Sequence, residues 1–290
     1  MINIKKYIDG ACISAYTYRK YGNSDIEHVC MVDKNVTEKD KKKLSKYFDR
    51  VVNVPLMKVD HDFDIKSNKR IERYGSWMDY ACTKWMIFFF EEYNKILFCD
   101  IDTLAVENYT KVFDVKTPAW TSFHKTSIKD NKIAKVVSKI KTNDVLSEKY
   151  IKKYTKYSFK EICNYEIKNR KSLYIPINAS LVLVKPSKKT FNDLFNYIKD
   201  IKCLSLNNGP DESLLFHYFI CHKKQKAYLL GFEYLTTLWL FNEKHTSFKN
   251  VKKPFILNFD STEKPWLKKN KKEYWKEEMM WYTLKKKLKL

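Results

Sequence analysis

"YNKILFCDIDTLAVENYTKVF", residues 93–113, decides the fold in its first half. Ile96-Leu97-Phe98-Cys99 is an apolar run that stops on two carboxylates one residue apart, Asp100 and Asp102. A short apolar run bounded by charge reads as a buried strand. Carboxylates at the mouth of such a strand are costly unless something offsets their charge. Their donors are oxygens only, which suits a hard divalent ion such as Mn²⁺ or Mg²⁺. That ion could bridge the phosphates of a nucleotide and neutralise a departing diphosphate. The plainer alternative is a strand end with two solvated acids capping a turn at Thr103.

The residues before this strand alternate helix and strand. Ile8, Ala11, Cys12 and Ala15 follow the i, i+3, i+4, i+7 spacing of a helical face, predicting a helix over 8–21. "EHVCMV" (27–32) and "RVVNVPL" (50–56) read as strands, with a charged helix over 37–48 between them and Thr37 as its cap. A helix over 76–92, apolar at Trp77, Cys82, Trp85, Met86 and Phe89, feeds the 96–99 strand. This order predicts an α/β fold with a mainly parallel central sheet flanked by helices. Ligands in such sheets bind at the carboxyl ends of the strands, where Asp100 and Asp102 fall.

Beyond the central motif, residues 125–172 are Lys-rich and poorly periodic, and read as an inserted lid or excursion. "INASLVLVKPS" (177–187) is a strand stopped by Pro186. Residues 189–201 and 210–220 read as helices, and 254–259 as a late strand. The segment 271–290 reads as a basic amphipathic helix. It either touches an acidic membrane surface or packs its Trp and Met side chains on the domain. The expected organisation is one domain over 1–270 with this helix appended.

Composition sets limits. With 44% hydrophobic residues the chain can build a sizeable core, which excludes a disordered protein. A net charge of +22 attracts polyanions, but Lys, Asn, Ile, Tyr and Phe are all plentiful, as an AT-rich genome would produce, so nucleic-acid binding is the weaker reading. The glycines are 10, 22, 75, 209 and 231, too dispersed for a glycine-rich phosphate loop. A nucleotide would therefore be held by metal or by Lys and Arg. Seven cysteines without CxxC spacing predict reduced, buried thiols rather than a zinc site or disulfide framework. No signal peptide stands at the start and no apolar run is long enough to span a bilayer, which predicts a cytoplasmic protein.

Phosphatases of the haloacid dehalogenase type also end a strand with Asp-x-Asp. Their pattern wants Thr or Val two residues after the second acid, where this chain has Leu104. Lys84, sixteen residues before Asp100, is either a solvated helical lysine or a phosphate ligand with its stem against Trp85. Asn178 is either a turn residue or a partner of sugar hydroxyls. Asp211 and Glu212, beside Asn208, are either first-turn acids favoured by the helix dipole or a carboxylate pair facing a sugar. Lys264, in "LNFDSTEKPW" with Asn258, is either a surface residue anchored by Trp266 or a diphosphate ligand. "DHDFD" (60–64) reads as a solvated loop.

Taken together, these segments resemble glycosyltransferase family 8, the glycogenin-like enzymes, and most closely their viral members. "YIDGACISAYTYRKY" is similar to the family's opening helix, and "TKW" followed by "YNKILFCDIDTLAVEN" to its Thr-Lys stretch and Asp-x-Asp strand. "INASLVLVKPS", "GPDESLL" and "NFDSTEKPW" are similar to its Asn-(Ala/Ser)-Gly strand, its Asp-Gln-Leu-Leu helix and its His-x-x-Gly-x-x-Lys-Pro-Trp loop. The resemblance implies a GT-A type domain, a UDP-sugar donor, Mn²⁺ and retention of anomeric configuration. It implies Asp100, Asp102 and Asn258 as metal ligands, Tyr7 stacked on uracil, and Lys84 and Lys264 on the donor phosphates. Asn178, Asp211 and Glu212 would face the transferred sugar. The acceptor would be a glycan or a protein, and such enzymes allow a homodimer.

The departures from that pattern fall on the site. Asn258 stands for a histidine, Ser180 and Ser261 for glycines, and Glu212 for a glutamine. Few residues precede Tyr7, so the expected first strand is shortened or the edge of the base pocket is rebuilt. These departures motivate a second expectation: a weakened member that binds a nucleotide sugar or a polyanion without turnover.

Overall fold

The computed structural model describes residues 6–59, 79–121, 140–162, 164, 177–201, 210–237, 254–259 and 263–290. The readings that fall on 1–5, 60–64, 75–78, 208–209 and 261, and most of the 125–172 excursion, lie outside them. In chain order the elements are α1 (Ile8–Tyr21), β1 (Val29–Val32), α2 (Glu38–Leu44), β2 (Arg50–Asn53), β3 (Ile96–Cys99), β4 (Thr103–Ala105), β5 (Ala119–Thr121), α3 (Glu148–Thr155), β6 (Asn178–Val184), α4 (Lys188–Ile201), α5 (Pro210–Leu215), β7 (Tyr228–Leu230), β8 (Thr236–Thr237), β9 (Ile256–Asn258) and α6 (Met279–Leu288). They fall into two compact units. The first is Met1–Pro55, Cys99–Val112 and Phe232–Leu290; the second is Leu56–Phe98 and Phe113–Gly231.

In the first unit α1 is buried on two sides. Ile8, Ala11 and Cys12 pack with Cys30 and Val32 of β1 and with Leu44 of α2. Ile13 packs on the other side with Leu104, Leu257, Trp266 and Trp281. The expected helical face is therefore real, but it is only half of what α1 buries. β1 and β2 pair in parallel, Val29 opposite Arg50. β4, β9 and β8 form a separate sheet, antiparallel between β4 and β9 and parallel between β9 and β8. Thr37 caps α2 as expected, its hydroxyl accepting from the Asp40 amide at 3.2 Å.

In the second unit the strand order is β3-β6-β5-β7, with β5 antiparallel to β6 and parallel to β7. The α/β class holds, while the pairing is mixed rather than mainly parallel. Parallel neighbours need a crossover connection between consecutive strands. Helix and strand alternate only as far as β3, and the later strands pair across long stretches of sequence. The helix expected over 76–92 is a tighter 3-10 segment, Ala81–Phe89, in its described part. Three residues per turn put Cys82, Trp85 and Phe88 in one row, and all three are buried. The helix expected over 210–220 begins as α5 and widens into a π-helical stretch, Phe216–His222. Within the excursion, Leu146, Ile151 and Ile162 are buried, and the Leu146 amide donates to Ala227 O at 2.9 Å. This part belongs to the unit's body.

The C-terminal helix is shorter than 271–290. Trp281 is buried in the first unit's core, so the segment packs its aromatics inward, while Trp275 stays 67% exposed. Cys12, Cys30, Cys82 and Cys99 are free thiols, as expected, but Cys221 is disulfide-bonded. Among the described residues no helix is long and apolar enough to cross a membrane.

Candidate active site

The carboxylates occupy the three-residue connection between β3 and β4. Asp100 O closes the turn by accepting from both the Thr103 amide, at 3.1 Å, and the Thr103 hydroxyl, at 2.6 Å. Three polar side chains of α1 then fix the start of β4. Ser14 Oγ donates to Thr103 O at 2.8 Å, Tyr18 Oη meets Thr103 Oγ1 at 2.9 Å, and Thr17 Oγ1 accepts from the Ala105 amide at 3.1 Å. Ser14, Thr17 and Tyr18 escaped sequence reasoning, although their i, i+3, i+4 spacing on an otherwise apolar helix was a legible signal. The expected turn at Thr103 exists, and it is closed on the backbone oxygen of Asp100.

β9 brings the far end of the chain to this turn. Asn258 is the register partner of Thr103, and the Phe259 amide donates to Asp102 O at 2.8 Å. Asn258 is 1% exposed, and its Oδ1 has no hydrogen-bond partner among the described residues. A buried amide oxygen left unpaired costs free energy, and a water or an ion at this oxygen would offset that cost. Lys264 Nζ donates to Asp102 Oδ2 at 2.6 Å and to Phe259 O at 3.4 Å. Burial alone would lower the pKa of this ammonium. The Asp102 carboxylate outweighs that, with Tyr7 and Asp100 adding, so the net direction is upward and the lysine stays charged. The Cys99 thiol beside Asp100 is pushed up by burial to about 12. Tyr7, just ahead of α1, meets Trp266 edge to face at 5.8 Å.

The oxygen set of Asp100, Asp102 and Asn258 fits a hard cation by donor chemistry. Among the described residues no three His, Cys, Asp or Glu side chains converge as a metal cluster, so such a site depends on the Asn258 amide.

The second unit gathers Lys84, Asn178, Asp211 and Glu212. Lys84 Nζ lies 2.6 Å from Asp211 Oδ2, with side-chain exposures of 9% and 5%, and donates to Ala179 O at 3.3 Å. Glu212 Oε1 accepts from the Ala179 amide at 3.1 Å, which ties the first turn of α5 to β6. Asn178 Oδ1 accepts from the Ser180 amide at 2.8 Å. Lys84 is therefore a buried, paired lysine and not a solvated helical one. Its ammonium also sits over the Phe98 ring at 5.1 Å.

No family model matches the chain. An uncharacterized protein of Acanthamoeba polyphaga mimivirus is 22% identical over 264 residues, covering 91% of this chain and 79% of that protein. The galactosyltransferase LgtC, solved with donor and acceptor sugar analogues, superposes with a TM-score of 0.57 at 12% identity, over 96% of this chain and 91% of LgtC. The glycosyltransferase GlyE of Streptococcus pneumoniae gives 0.51 at 14% identity, over 96% of this chain and 58% of GlyE. The chain has a GT-A type glycosyltransferase fold. In this GT-A chain the Asp-x-Asp turn, Asn258 and Lys264 belong to the first unit, and Lys84, Asn178, Asp211 and Glu212 to the second.

Proposed function

We propose that the protein is a metal-dependent, retaining glycosyltransferase that moves a hexose from a UDP-sugar to a glycan or protein acceptor. The observation that carries this reading is the buried Asn258 Oδ1, unpaired among the described residues, on the residue opposite Thr103, which directly follows the Asp-x-Asp turn. Asp100, Asp102 and Asn258 are the residues that would hold Mn²⁺ or Mg²⁺. Bound there, the cation would supply electrostatic stabilisation of the leaving UDP. Lys264 adds a second positive charge for the diphosphate, and Tyr7 offers a ring to the uracil. In the second unit Asn178, Asp211 and Glu212 are assigned to hydroxyls of the transferred sugar: the amide can donate and accept, and the carboxylates accept. Lys84, held by Asp211, is assigned to the donor phosphates.

The test is UDP release from UDP-glucose or UDP-galactose with Mn²⁺. Asp102→Ala should abolish release, and release that survives this change would overturn the reading.

One observation favours a second reading, a protein that binds nucleotide sugars or polyanions without turnover. Asp102 is already neutralised by Lys264. This reading predicts a thermal shift with UDP and no release of UDP from any donor.

A further inference from the structure

Asp102 is the residue that both a cation and an internal ammonium can claim. The Lys264–Asp102 pair has side-chain exposures of only 19% and 16%, so solvent screens it weakly. The described backbone next to each partner is tied by hydrogen bonds. Asp102 O is held by the Phe259 amide, and Pro265-Trp266 is locked by the buried Trp266, whose Nε1 donates to Lys6 O at 2.7 Å. The four-carbon stem of Lys264 can change rotamer without breaking either of these contacts.

We propose that Lys264 is a resident counter-ion of Asp102, so that a divalent cation gains full access to this carboxylate only when a diphosphate draws the ammonium away. A cation at Asp102 would otherwise stand beside a fixed positive charge in a poorly screened place, which is repulsive. A diphosphate offers the ammonium several charged oxygens in exchange for one carboxylate, and lysine is an ordinary phosphate partner. Cation and diphosphate are then coupled beyond direct bridging, and the coupling acts equally in both directions. This deepens the proposed function and rests on Asp102 being a cation ligand.

The experiment titrates Mn²⁺ alone, and then UDP, into the full chain by calorimetry, for the wild type, Lys264→Met and Lys264→Arg. Circular dichroism confirms that each is folded. Lys264→Met should bind Mn²⁺ alone at least about fivefold more tightly than the wild type, the lower end of ordinary coupling between two ligands, and should bind UDP more weakly. Lys264→Arg keeps the charge and should bind Mn²⁺ as the wild type does. Unchanged Mn²⁺ affinity in Lys264→Met, with UDP still bound by the wild type, overturns the counter-ion role and leaves the proposed function standing. UDP binding to none of the three overturns both.

Discussion

Lys84 and Asp211 are joined across 127 positions of sequence by an ion pair of 2.6 Å from which solvent is almost excluded. The same lysine donates to Ala179 O, and Glu212 takes the Ala179 amide, so β6, α5 and the 3-10 segment meet at one polar knot. Removing one partner of such a pair strands the other charge in a place of low dielectric. Lys84→Met should therefore lower stability by about 3–5 kcal/mol. The double change Lys84→Met with Asp211→Asn should recover a large part, because no charge is then left unpaired. Urea unfolding of the wild type, both single variants and the double variant measures the coupling. A double variant no more stable than Lys84→Met would show that the knot is not electrostatic.

Asn258 invites the opposite expectation. Its Oδ1 makes no hydrogen bond among the described residues although the residue is 1% exposed, so the fold loses little when the amide is removed. Asn258→Leu should leave stability unchanged or raise it by up to about 1–3 kcal/mol, the cost of an unsatisfied buried polar atom. The same variant should bind Mn²⁺ more weakly. Asn258→His restores a nitrogen donor and should bind it more tightly than Asn258→Leu. Thermal unfolding and Mn²⁺ titration, run on the same samples, separate the two effects.

Helix starts, strand ends and the acids at the end of β3 were readable because each rests on local spacing. Ile8, Ala11 and Cys12 mark a face, Thr37 marks a cap, and an apolar run stopping at Asp100 marks a strand end. β4, β5, β7 and β8 were not readable, since two or three residues carry no period. The mixed pairing of the sheets was hidden for a related reason: Thr103 and Asn258 are register partners that no local rule connects. Among the site residues, Asp102 and Lys264 could be named from motif alone, but their pairing could not. Lys84 could be named as well, while its commitment to Asp211 depends on where α5 returns in space.

His28 gives a pH dependence whose sign can be worked out. Burial is the largest influence and, with the Arg19 charge, holds its imidazole below the ordinary 6.5, while Asp49 opposes incompletely. The unfolded chain then takes up its proton at about pH 6.5 and the folded chain only at lower pH. Between those values the unfolded state binds more protons, so stability rises with pH. The contribution is complete above pH 6.5 and is lost as pH falls through the folded value. Urea unfolding at pH 7.5 and 5.5 should show a smaller loss on acidification for His28→Gln than for the wild type. Equal losses would assign the acid sensitivity to other groups.

Gly10 lies in α1 under the ring of Trp266, and a Cβ there would stand 2.6 Å from two ring carbons. In an ordinary helix interior, Gly→Ala stabilises by roughly 0.5–1 kcal/mol. Here the sign should reverse. Trp266 is 1% exposed, packed against Trp281 and hydrogen-bonded to Lys6 O, so it cannot yield without cost. Gly10→Ala should destabilise by about 1–3 kcal/mol, the usual penalty of overpacking. Trp266 is two residues from Lys264, so the strain should also weaken UDP binding. Trp266→Phe makes room for the methyl group, and contacting residues are those whose effects fail to add. The cost of Gly10→Ala should therefore be smaller in the Trp266→Phe background than in the wild type. If the two changes add without coupling, the methyl is being accommodated elsewhere and the close approach of α1 to Trp266 is not what requires glycine.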